Sequence, residues 1–464
     1  MNEYSVNFSN PCKVHFIGIG GISMSGLAEI LLKKGFTVSG SDSKESDLTR
    51  QLAAQGALIS YPQQACNITD DIDVVVYTAA IHPDNPEYAA AVKAKLPMLS
   101  RAKFLGQLMK NYDCSVAVAG THGKTTTTSM LAHILLAADT DPTISVGGIL
   151  KAIGGNIRVG GDTHFLTEAC EYTNSFLSFY PKYSIILNIE AEHLDFFKDL
   201  DDIRASFAKF ASNTSADGAI ILNGSIPNYK ELVAGLPAKA LTFGLTSEND
   251  VYATDITYNE KGYGAFRINS PLAPAIDVEL QVPGEHNICN ALAACTVALE
   301  LGISADTIKT GLESFGGTNR RFQYKGEIDG VTIIDDYAHH PTEIKATLKA
   351  AGNYPHKRLI VAFQPHTYSR TKAFLDDFAD ALSLADIVVL ADIYAARETD
   401  TLGVSSRDIE SRLLAMGKEC YYFPSTETFD GLEKFLLKNC IDGDLLITMG
   451  AGNIVELGEH LLGQ

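Results

Sequence analysis

The sequence predicts an α/β protein built from three domains. Short apolar strands alternate with segments whose apolar residues recur at helical spacing, and this alternation is typical of parallel sheets covered by helices. One such helix face is formed by Met24, Leu27, Ala28 and Leu31. A chain of 464 residues has room for three domains at about 150 residues each, and the Gly-Gly-Thr-Asn run at 316–319 is typical of a hinge. We therefore predict three domains, over residues 1–112, 113–317 and 318–464.

The predicted first domain begins with a strand at 14–17, followed by the glycine loop at 18–21. A second strand leads to Asp42, and a third occupies 74–77. A glycine loop with an acidic residue after the second strand is found in dinucleotide-binding folds, so a nicotinamide-dependent oxidoreductase is one alternative. Against it, Ser23 stands where the GxGxxG pattern requires its third glycine.

The predicted second domain begins with a strand that leads into a phosphate-binding loop. The loop consists of Gly120, Thr121, His122, Gly123, Lys124, Thr125 and Thr126. Its glycines let backbone N–H groups point at a phosphate, and the following helix adds positive potential at its N-terminus. Lys124 is then expected to reach the β- and γ-phosphates of ATP, and the Thr125 hydroxyl to bind Mg²⁺. The loop is shorter than the GxxxxGK[ST] pattern, which would need a glycine at Val118.

Two later strands of this domain end near acidic residues. The strand at 164–167 precedes Glu168, and Glu171 lies a little further along. Mg²⁺ prefers oxygen ligands, so both carboxylates are candidates, although for either residue taken alone a surface acid is the favoured interpretation. His193 follows the strand at 185–187, and a single histidine is more often structural than a metal ligand.

In the predicted third domain, polar side chains collect where the strands end. The strands are expected at 331–334, 359–363, 387–390 and 445–448. The polar residues are Asp335, Asp336, His339, His340, His366, Arg370 and Asp392. Because ligands of parallel α/β sheets bind at the carboxyl ends of the strands, this edge is predicted to bind a ligand.

Composition argues against several classes of protein. The chain carries 37 Lys and Arg against 56 Asp and Glu, a formal charge of −19, whereas nucleic-acid-binding proteins present a basic face. The N-terminus lacks a signal pattern, and the apolar run at 382–396 is interrupted by Asp386 and Asp392, so we predict no membrane span. The eight cysteines form no CxxC pair, as expected for a reduced cytoplasmic protein. We expect a monomer or homodimer.

Several motifs together resemble the Mur ligases of bacterial cell-wall synthesis, over essentially the whole chain. They lie at 18–28, 120–126, 168–172, 188–195, 284–290, 320–322, 335–343 and 363–366, with Arg370. The phosphate loop alone would indicate only the superfamily, whereas the Asp-Asp-Tyr-Ala-His-His-Pro-Thr-Glu run at 335–343 is far more specific. The resemblance implies a Rossmann-like N-terminal domain for a UDP-sugar and a central P-loop ATPase-type α/β domain. It also implies a Rossmann-like C-terminal α/β domain that binds the amino acid and closes on ATP.

The resemblance implies a reaction as well. The branch that this chain most resembles joins L-alanine to the lactyl carboxylate of UDP-N-acetylmuramate through an acyl phosphate, with ATP and Mg²⁺. The family's metal ligands correspond to Thr125, Glu168 and His193, and its adenine-side residues to Asn287 and Asn290. The UDP-sugar is expected at Gly18, Gly20, Gly21 and Asp42.

The expected catalytic residues are Lys124, His193, Arg321, His340 and Arg370. His193 is expected to act as a metal ligand and Arg321 to reach the phosphates when the domains close. Arg370 is expected to bind the amino-acid carboxylate, and His340 or His366 to line its pocket. A structural salt bridge or helix cap is an equally good interpretation for four of these residues, namely Arg321, His340, His366 and Arg370.

Two further alternatives stay open. A sister ligase would add another amino acid, or a recycled peptide, to the same UDP-sugar. A P-loop switch protein would hydrolyse ATP or GTP without a carboxylate substrate. The chain departs from the family at Thr367, where many relatives have arginine. Lys209 lies near the place where sister ligases carry a carbamylated lysine, a modification not expected in the L-alanine branch.

Overall fold

Three sheets follow one another along the chain. The computed structural model describes residues 4–396, 398–424 and 428–464. Within them a five-stranded, a ten-stranded and a six-stranded sheet are each flanked by helices, which confirms the predicted three-domain α/β fold. None of the described helices has both the length and the apolar composition needed to span a bilayer. The boundaries near residues 112 and 317 remain predictions.

The first sheet is entirely parallel, with the strand order β3-β2-β1-β4-β5. Its strands are β1 (Lys13–Ile17), β2 (Thr37–Ser41), β3 (Leu58–Ser60), β4 (Val74–Tyr77) and β5 (Met98–Ser100). Its helices are α1 (Ile22–Lys33), α2 (Asp47–Ala54), α3 (Pro86–Lys93) and α4 (Arg101–Met109), with a short 3₁₀ turn at Ala65–Asn67. Because helices cover both faces of a parallel sheet, its central strands are buried on both sides and are mostly apolar. The central strand β1 corresponds to the strand predicted at 14–17 and is buried along most of its length.

The second sheet has the order β15-β14-β13-β12-β11-β10-β6-β9-β7-β8. Its first strands are β6 (Cys114–Ala119), β7 (Thr143–Leu150), β8 (Gly155–Arg158), β9 (His164–Ala169) and β10 (Tyr183–Ile186). The others are β11 (Ala219–Asn223), β12 (Lys239–Gly244), β13 (Val251–Tyr258), β14 (Tyr263–Ser270) and β15 (Ala273–Pro283). Pairing is parallel from β13 to β7, and β14, β15 and β8 extend the two ends in antiparallel fashion.

Helices and 3₁₀ segments surround this central sheet. The helices are α5 (Lys124–Ala137), α6 (Leu200–Ser212), α7 (Tyr229–Val233), α8 (Glu285–Glu300) and α9 (Ala305–Glu313). The 3₁₀ segments are Lys151–Ile153 and Tyr172–Ser178.

The third sheet has the order β16-β17-β21-β18-β19-β20, with only β16 antiparallel to its neighbour. Its strands are β16 (Gln323–Ile328), β17 (Val331–Asp336), β18 (Leu359–Phe363), β19 (Ile387–Leu390), β20 (Glu419–Tyr422) and β21 (Leu445–Met449). Its helices are α10 (Pro341–Ala351), α11 (Tyr368–Ala373), α12 (Leu375–Leu382), α13 (Ser406–Ala415), α14 (Asp430–Asn439) and α15 (Val455–Leu461).

The first domain packs tightly against the central one. A continuous hydrophobic cluster includes Phe16 and Phe104 from the first domain and Phe165 and Phe176 from the second. At this junction α4 lies on the 3₁₀ segment Tyr172–Ser178, and a Cβ added to Gly106 would come within 1.8 Å of the Ser178 carbonyl oxygen. Glycine at this position therefore allows the two domains to share one core.

We predict that Gly106→Ala destabilises the protein, because the new methyl group must push α4 away from the backbone at Ser178. Overpacking of this kind costs about 1–3 kcal/mol. Urea unfolding should give a lower apparent free energy for Gly106→Ala than for wild type. Gly155→Ala is the matched control, since a Cβ there meets no atom within 4 Å. Equal stability of the two variants would contradict the tight junction.

Candidate active site

The phosphate loop connects β6 to α5 at the carboxyl edge of the central sheet. Gly120 and Gly123 adopt φ angles of 149° and 82°, where L side chains are rarely found. A Cβ on Gly120 would lie 2.9 Å from the Leu187 Cβ, and one on Gly123 would lie 2.7 Å from Asn290 Oδ1. Both positions therefore require glycine for conformation and for space.

Two asparagines hold this loop from opposite sides. The His122 N–H donates to Asn188 Oδ1 at 2.8 Å, and Asn188 Nδ2 donates to the His122 carbonyl at 3.1 Å. On α8, Asn290 Oδ1 accepts from the Thr127 hydroxyl at 3.2 Å, and Asn290 Nδ2 donates to Asn287 Oδ1 at 3.0 Å. The loop and the first turn of α5 are therefore held in place by Asn188, which follows β10, and by Asn290 on α8.

Lys124, the first residue of α5, carries its ammonium group into the space in front of the loop. It donates to the carbonyls of Gly120 and Thr121 and, at 3.0 Å, to Glu171 Oε2. Burial works against the charged ammonium group, but the Glu171 carboxylate outweighs it and raises the pKa of Lys124. The lysine is therefore positively charged in this buried setting.

The three expected metal ligands, Thr125, Glu168 and His193, line one cavity of about 760 Å³. The sequence predicts Glu168 just after a strand, whereas in the structure it lies within β9. Its Oε1 accepts a hydrogen bond from the Gly147 N–H at 2.6 Å. His193 has a φ of 54°, and its Nε2 lies 3.6 Å from Glu171 Oε1. Burial lowers the pKa of His193, which favours the neutral imidazole that a metal ion needs.

A second cavity, of about 320 Å³, lies on the other side of the loop. Its walls come from the central and third domains and include Gly123, Thr126, Asn287, Asn290, Thr318 and Arg321. Arg321 lines this cavity and the larger one, and its approach to the phosphates remains a prediction. The two cavities adjoin at His122, Gly123 and Arg321, which line both of them.

Polar contacts join the third domain to the phosphate loop. His122 Nδ1 lies 3.1 Å from Glu343 Oε1, and the Thr342 hydroxyl donates to Glu190 Oε2 at 2.7 Å. Glu343 and Thr342 belong to the first turn of α10, whereas His122 and Glu190 follow β6 and β10. The third domain is thus docked directly on the loop.

A third cavity, of about 400 Å³, lies beside this contact and is lined by Arg370, His366 and Glu192. Arg370 Nε and Nη2 donate to Glu192 Oε1 at 3.0 and 2.8 Å, and its Nη1 lies 3.1 Å from the His366 carbonyl. His340 is not among the described residues that line this cavity. It caps α10, where its Nδ1 accepts from the Thr342 N–H at 3.3 Å, so the helix-cap interpretation describes His340 in this structure.

Opposite charges are matched across the domain contact. Burial works against a charged His122, but the carboxylates of Glu343 and Glu190 outweigh it and raise the pKa of His122 to about 9. Burial also works against a charged Glu192, and Arg370 outweighs it, so that the pKa of Glu192 falls to about 2. At neutral pH both contacts are therefore ion pairs.

The residues expected to bind the UDP-sugar form the loop between β1 and α1. Asp42 Oδ2 accepts from the Gly20 N–H at 2.8 Å, Gly18 has a φ of 85°, and Gly21 precedes the first turn of α1. None of these four residues lines the three cavities described above. Their role in binding a UDP-sugar remains a prediction.

Sequence reasoning missed the partners of several residues that hold the loop and dock the third domain. These residues are Asn188, Glu190, Glu192, Thr342 and Glu343. All lie inside the motifs at 188–195 and 335–343, but no local spacing assigns their contacts. Lys209 is exposed on α6 and lines none of the three cavities. Thr367, with a φ of 66°, lines the cavity beside Arg370.

Three family models match the chain in succession. The Mur ligase family catalytic domain matches residues 13–113, the Mur ligase middle domain matches residues 118–298, and the Mur ligase glutamate ligase domain matches residues 320–452. Together they span most of the sequence.

Curated relatives match from end to end. The UDP-N-acetylmuramate–L-alanine ligase of Agathobacter rectalis is 65% identical over 459 residues, covering 99% of each chain. The enzyme of the same name from Lachnospira eligens is 59% identical over 460 residues, covering 99% of this chain and all of its own.

Solved structures of related ligases have a similar fold over nearly the whole chain. The UDP-N-acetylmuramate–alanine ligase of Thermotoga maritima superposes with a TM-score of 0.77 at 31% identity, over 97% of this chain and 98% of its own. A murein peptide ligase from Psychrobacter arcticus gives a TM-score of 0.67 at 25% identity, over 97% of this chain and 98% of its own.

We predict a pH-dependent loss of stability that depends on His122. Because its pKa rises from 6.5 to about 9 on folding, the imidazolium stabilises the folded state fully below pH 6.5, and this contribution is lost as the pH rises to about 9. The contribution is at most about 3 kcal/mol. Thermal unfolding without added metal should show a smaller decline over this range for His122→Gln than for wild type. His460→Gln, which removes an exposed histidine, should decline like wild type; an unchanged decline in His122→Gln would refute the assignment.

Proposed function

Because the chain belongs to the Mur ligase family, we propose that it joins L-alanine to the lactyl carboxylate of UDP-N-acetylmuramate in peptidoglycan precursor synthesis, converting ATP to ADP and phosphate. The relatives at 65% and 59% identity are named for this reaction. The observation that carries the proposal for the site is the cavity that Lys124, Thr125, Glu168 and His193 share with Arg321. It combines a phosphate-binding cation, metal-ligating groups and a residue of the third domain.

The first step makes the carboxylate reactive. A lactyl carboxylate oxygen attacks the γ-phosphorus of ATP, and the bond from that phosphorus to the bridging oxygen breaks. ADP departs, and the product on the sugar is an acyl phosphate. Positive charge and fixed N–H groups around the transferring phosphoryl group lower this barrier. In our proposal Lys124 and the N–H groups of the loop provide them, and Arg321 adds a second cation from the third domain.

The side chains of Thr125, Glu168 and His193 fit a divalent cation, which we propose to be Mg²⁺. They offer a hydroxyl, a carboxylate and a neutral imidazole to one cavity. Near them, Glu171 Oε1 is buried without a hydrogen-bond partner among the described residues, so this oxygen is available to a ligand. When bound, Mg²⁺ neutralises charge on the phosphates.

The second step forms the amide. The neutral amine of L-alanine attacks the acyl carbon, the new nitrogen loses a proton to solvent, and the tetrahedral intermediate collapses to the amide as the bond to phosphate breaks. We propose that the amino acid occupies the cavity of about 400 Å³, with its carboxylate beside Arg370. This arrangement would hold the amine close to the acyl phosphate, which is the main requirement of the step. The contact of α10 with the phosphate loop would exclude water from the acyl phosphate.

The alternatives fare differently. A nicotinamide-dependent oxidoreductase and a P-loop switch protein are not favoured by membership of the Mur ligase family. A sister ligase is represented by the murein peptide ligase at 25% identity, far below the 65% of the L-alanine ligase from Agathobacter rectalis, so L-alanine is the favoured substrate. A cytoplasmic location and a monomeric or homodimeric state remain predictions.

We predict that ADP release requires UDP-N-acetylmuramate, Mg²⁺ and an amino acid together, with L-alanine the most effective. Glycine and serine differ from it by one small group, worth only about 1–3 kcal/mol in a pocket, so some turnover with each is expected. A coupled ADP assay over a panel of amino acids measures this. The substrate assignment fails if L-alanine does not exceed the others, and ADP release without a UDP-sugar would instead support a switch protein.

We predict that Lys124→Ala lowers kcat by about a hundredfold to a thousandfold or more, because a charge aimed at the transferring phosphoryl group is lost. Circular dichroism should show an unchanged fold. Lys438→Ala, which removes an exposed lysine on α14, should retain wild-type turnover. Near-normal activity of Lys124→Ala would overturn the role of the phosphate loop.

A further inference from the structure

Two histidines and a carboxylate meet where the central and third domains touch. His122 Nε2 lies 3.4 Å from Glu190 Oε2. The ligand atoms of His122, Glu190 and His340 all lie within 4.8 Å of one another, and the rings of His122 and His340 are 4.9 Å apart. None of the three belongs to the group formed by Thr125, Glu168 and His193, so this is a separate cluster.

The two imidazoles each leave a nitrogen unsatisfied. His122 Nε2 and His340 Nε2 are buried and have no hydrogen-bond partner among the described residues. His340 itself is only 4% exposed. Leaving a buried polar atom without a partner costs free energy, and such atoms in native proteins are often accounted for by an ion or water. A cation bound by these groups would displace the Nε2 proton of the His122 imidazolium and give both nitrogens a partner.

The surrounding contacts match those of a metal centre. Histidines bound to a metal usually pass their other ring N–H to a carboxylate, which orients the ring. His122 has this arrangement, since its Nδ1 lies 3.1 Å from Glu343 Oε1. Glu190 is oriented by the Thr342 hydroxyl at 2.7 Å. For His340, ligation through Nε2 moves the ring proton to Nδ1 and gives up the weak 3.3 Å contact with the Thr342 N–H.

We propose that His122, Glu190 and His340 bind a Zn²⁺ ion that links the central domain to the third. Two imidazoles and one carboxylate are a nitrogen-rich donor set that suits Zn²⁺, whereas Mg²⁺ prefers sites in which oxygen atoms predominate, including those of water and phosphate. Ligand atoms around tetrahedral Zn²⁺ lie about 3.4 Å apart, given bonds of about 2.0–2.1 Å. The ligand atoms now lie within 4.8 Å of one another and would have to approach to that spacing when the ion binds.

Binding at this cluster has a mechanical consequence. His122 and Glu190 come from the central domain and His340 from the third, so the ion fastens the third domain onto the phosphate loop. Zn²⁺ therefore stabilises the closed arrangement by mass action.

The test is a Zn²⁺ titration of the full-length protein by calorimetry, in a large excess of Mg²⁺, with thermal unfolding measured in parallel. We expect wild type to bind an equivalent of Zn²⁺ that Mg²⁺ does not displace, and to unfold at a higher temperature in its presence. Glu190→Gln and His340→Asn should each weaken that equivalent by roughly tenfold or more. His193→Asn, which alters the proposed Mg²⁺ site, and His460→Gln, which removes an exposed histidine, should retain it.

The proposal is overturned if wild type binds no Zn²⁺ under these conditions. It is also overturned if the equivalent is lost in His193→Asn but kept in Glu190→Gln and His340→Asn, because the ion would then belong to the phosphate-side site. If His340→Asn does not fold, Glu190→Gln decides the matter, since Glu190 is partly exposed and its replacement keeps the same shape.

Discussion

The carboxyl ends of β10, β6 and β9 lie side by side in the central sheet, and the rest of the site depends on this constraint. The phosphate loop follows β6, Glu168 lies near the end of β9, and Asn188 follows β10. Because neighbouring parallel strands end at one edge, the loop, a carboxylate and the asparagine that holds the loop must converge there. The glycines at 120 and 123 then let the backbone approach Leu187 and Asn290 closely enough for α5 to point at the phosphates.

The third domain extends this edge rather than forming a separate site. Three side chains of the central domain each contact one side chain of the third domain. The pairs are His122 with Glu343, Glu190 with Thr342, and Glu192 with Arg370. The Arg370–Glu192 pair is largely buried, with side chains 9% and 8% exposed, and removing one partner would leave an uncompensated charge inside the protein. Such a buried pair fixes the orientation in which the two domains dock. The cavity beside Arg370 is lined by residues of both domains, so it forms where they meet.

The sequence predicted the contiguous parts of this arrangement well. The strand, glycines, lysine and threonine of the phosphate loop sit within a dozen residues, so local physics determines them. By contrast, Arg370 and Glu192 lie 178 positions apart, and no spacing rule relates them. For His340 the sequence left a pocket residue and a helix cap open, and in this structure it caps α10, while its role in the reaction stays a prediction. The strands β13 and β14 were not predicted, because their buried positions carry few large apolar residues and the alternation of burial is interrupted towards the end of β13.

Glu171 is the residue that ties these elements together electrostatically. Its Oε2 lies 3.0 Å from the ammonium group of Lys124 and its Oε1 lies 3.6 Å from His193 Nε2, so one buried carboxylate contacts both the phosphate-binding lysine and a candidate metal ligand. A γ-phosphate arriving at Lys124 would compete with Glu171 for the same ammonium hydrogens. A divalent cation beside His193 would offset the charge that Glu171 then leaves unpaired. In the proposed function the arrival of the two ligands would therefore be coupled through this carboxylate, because each would relieve the electrostatic cost that the other creates.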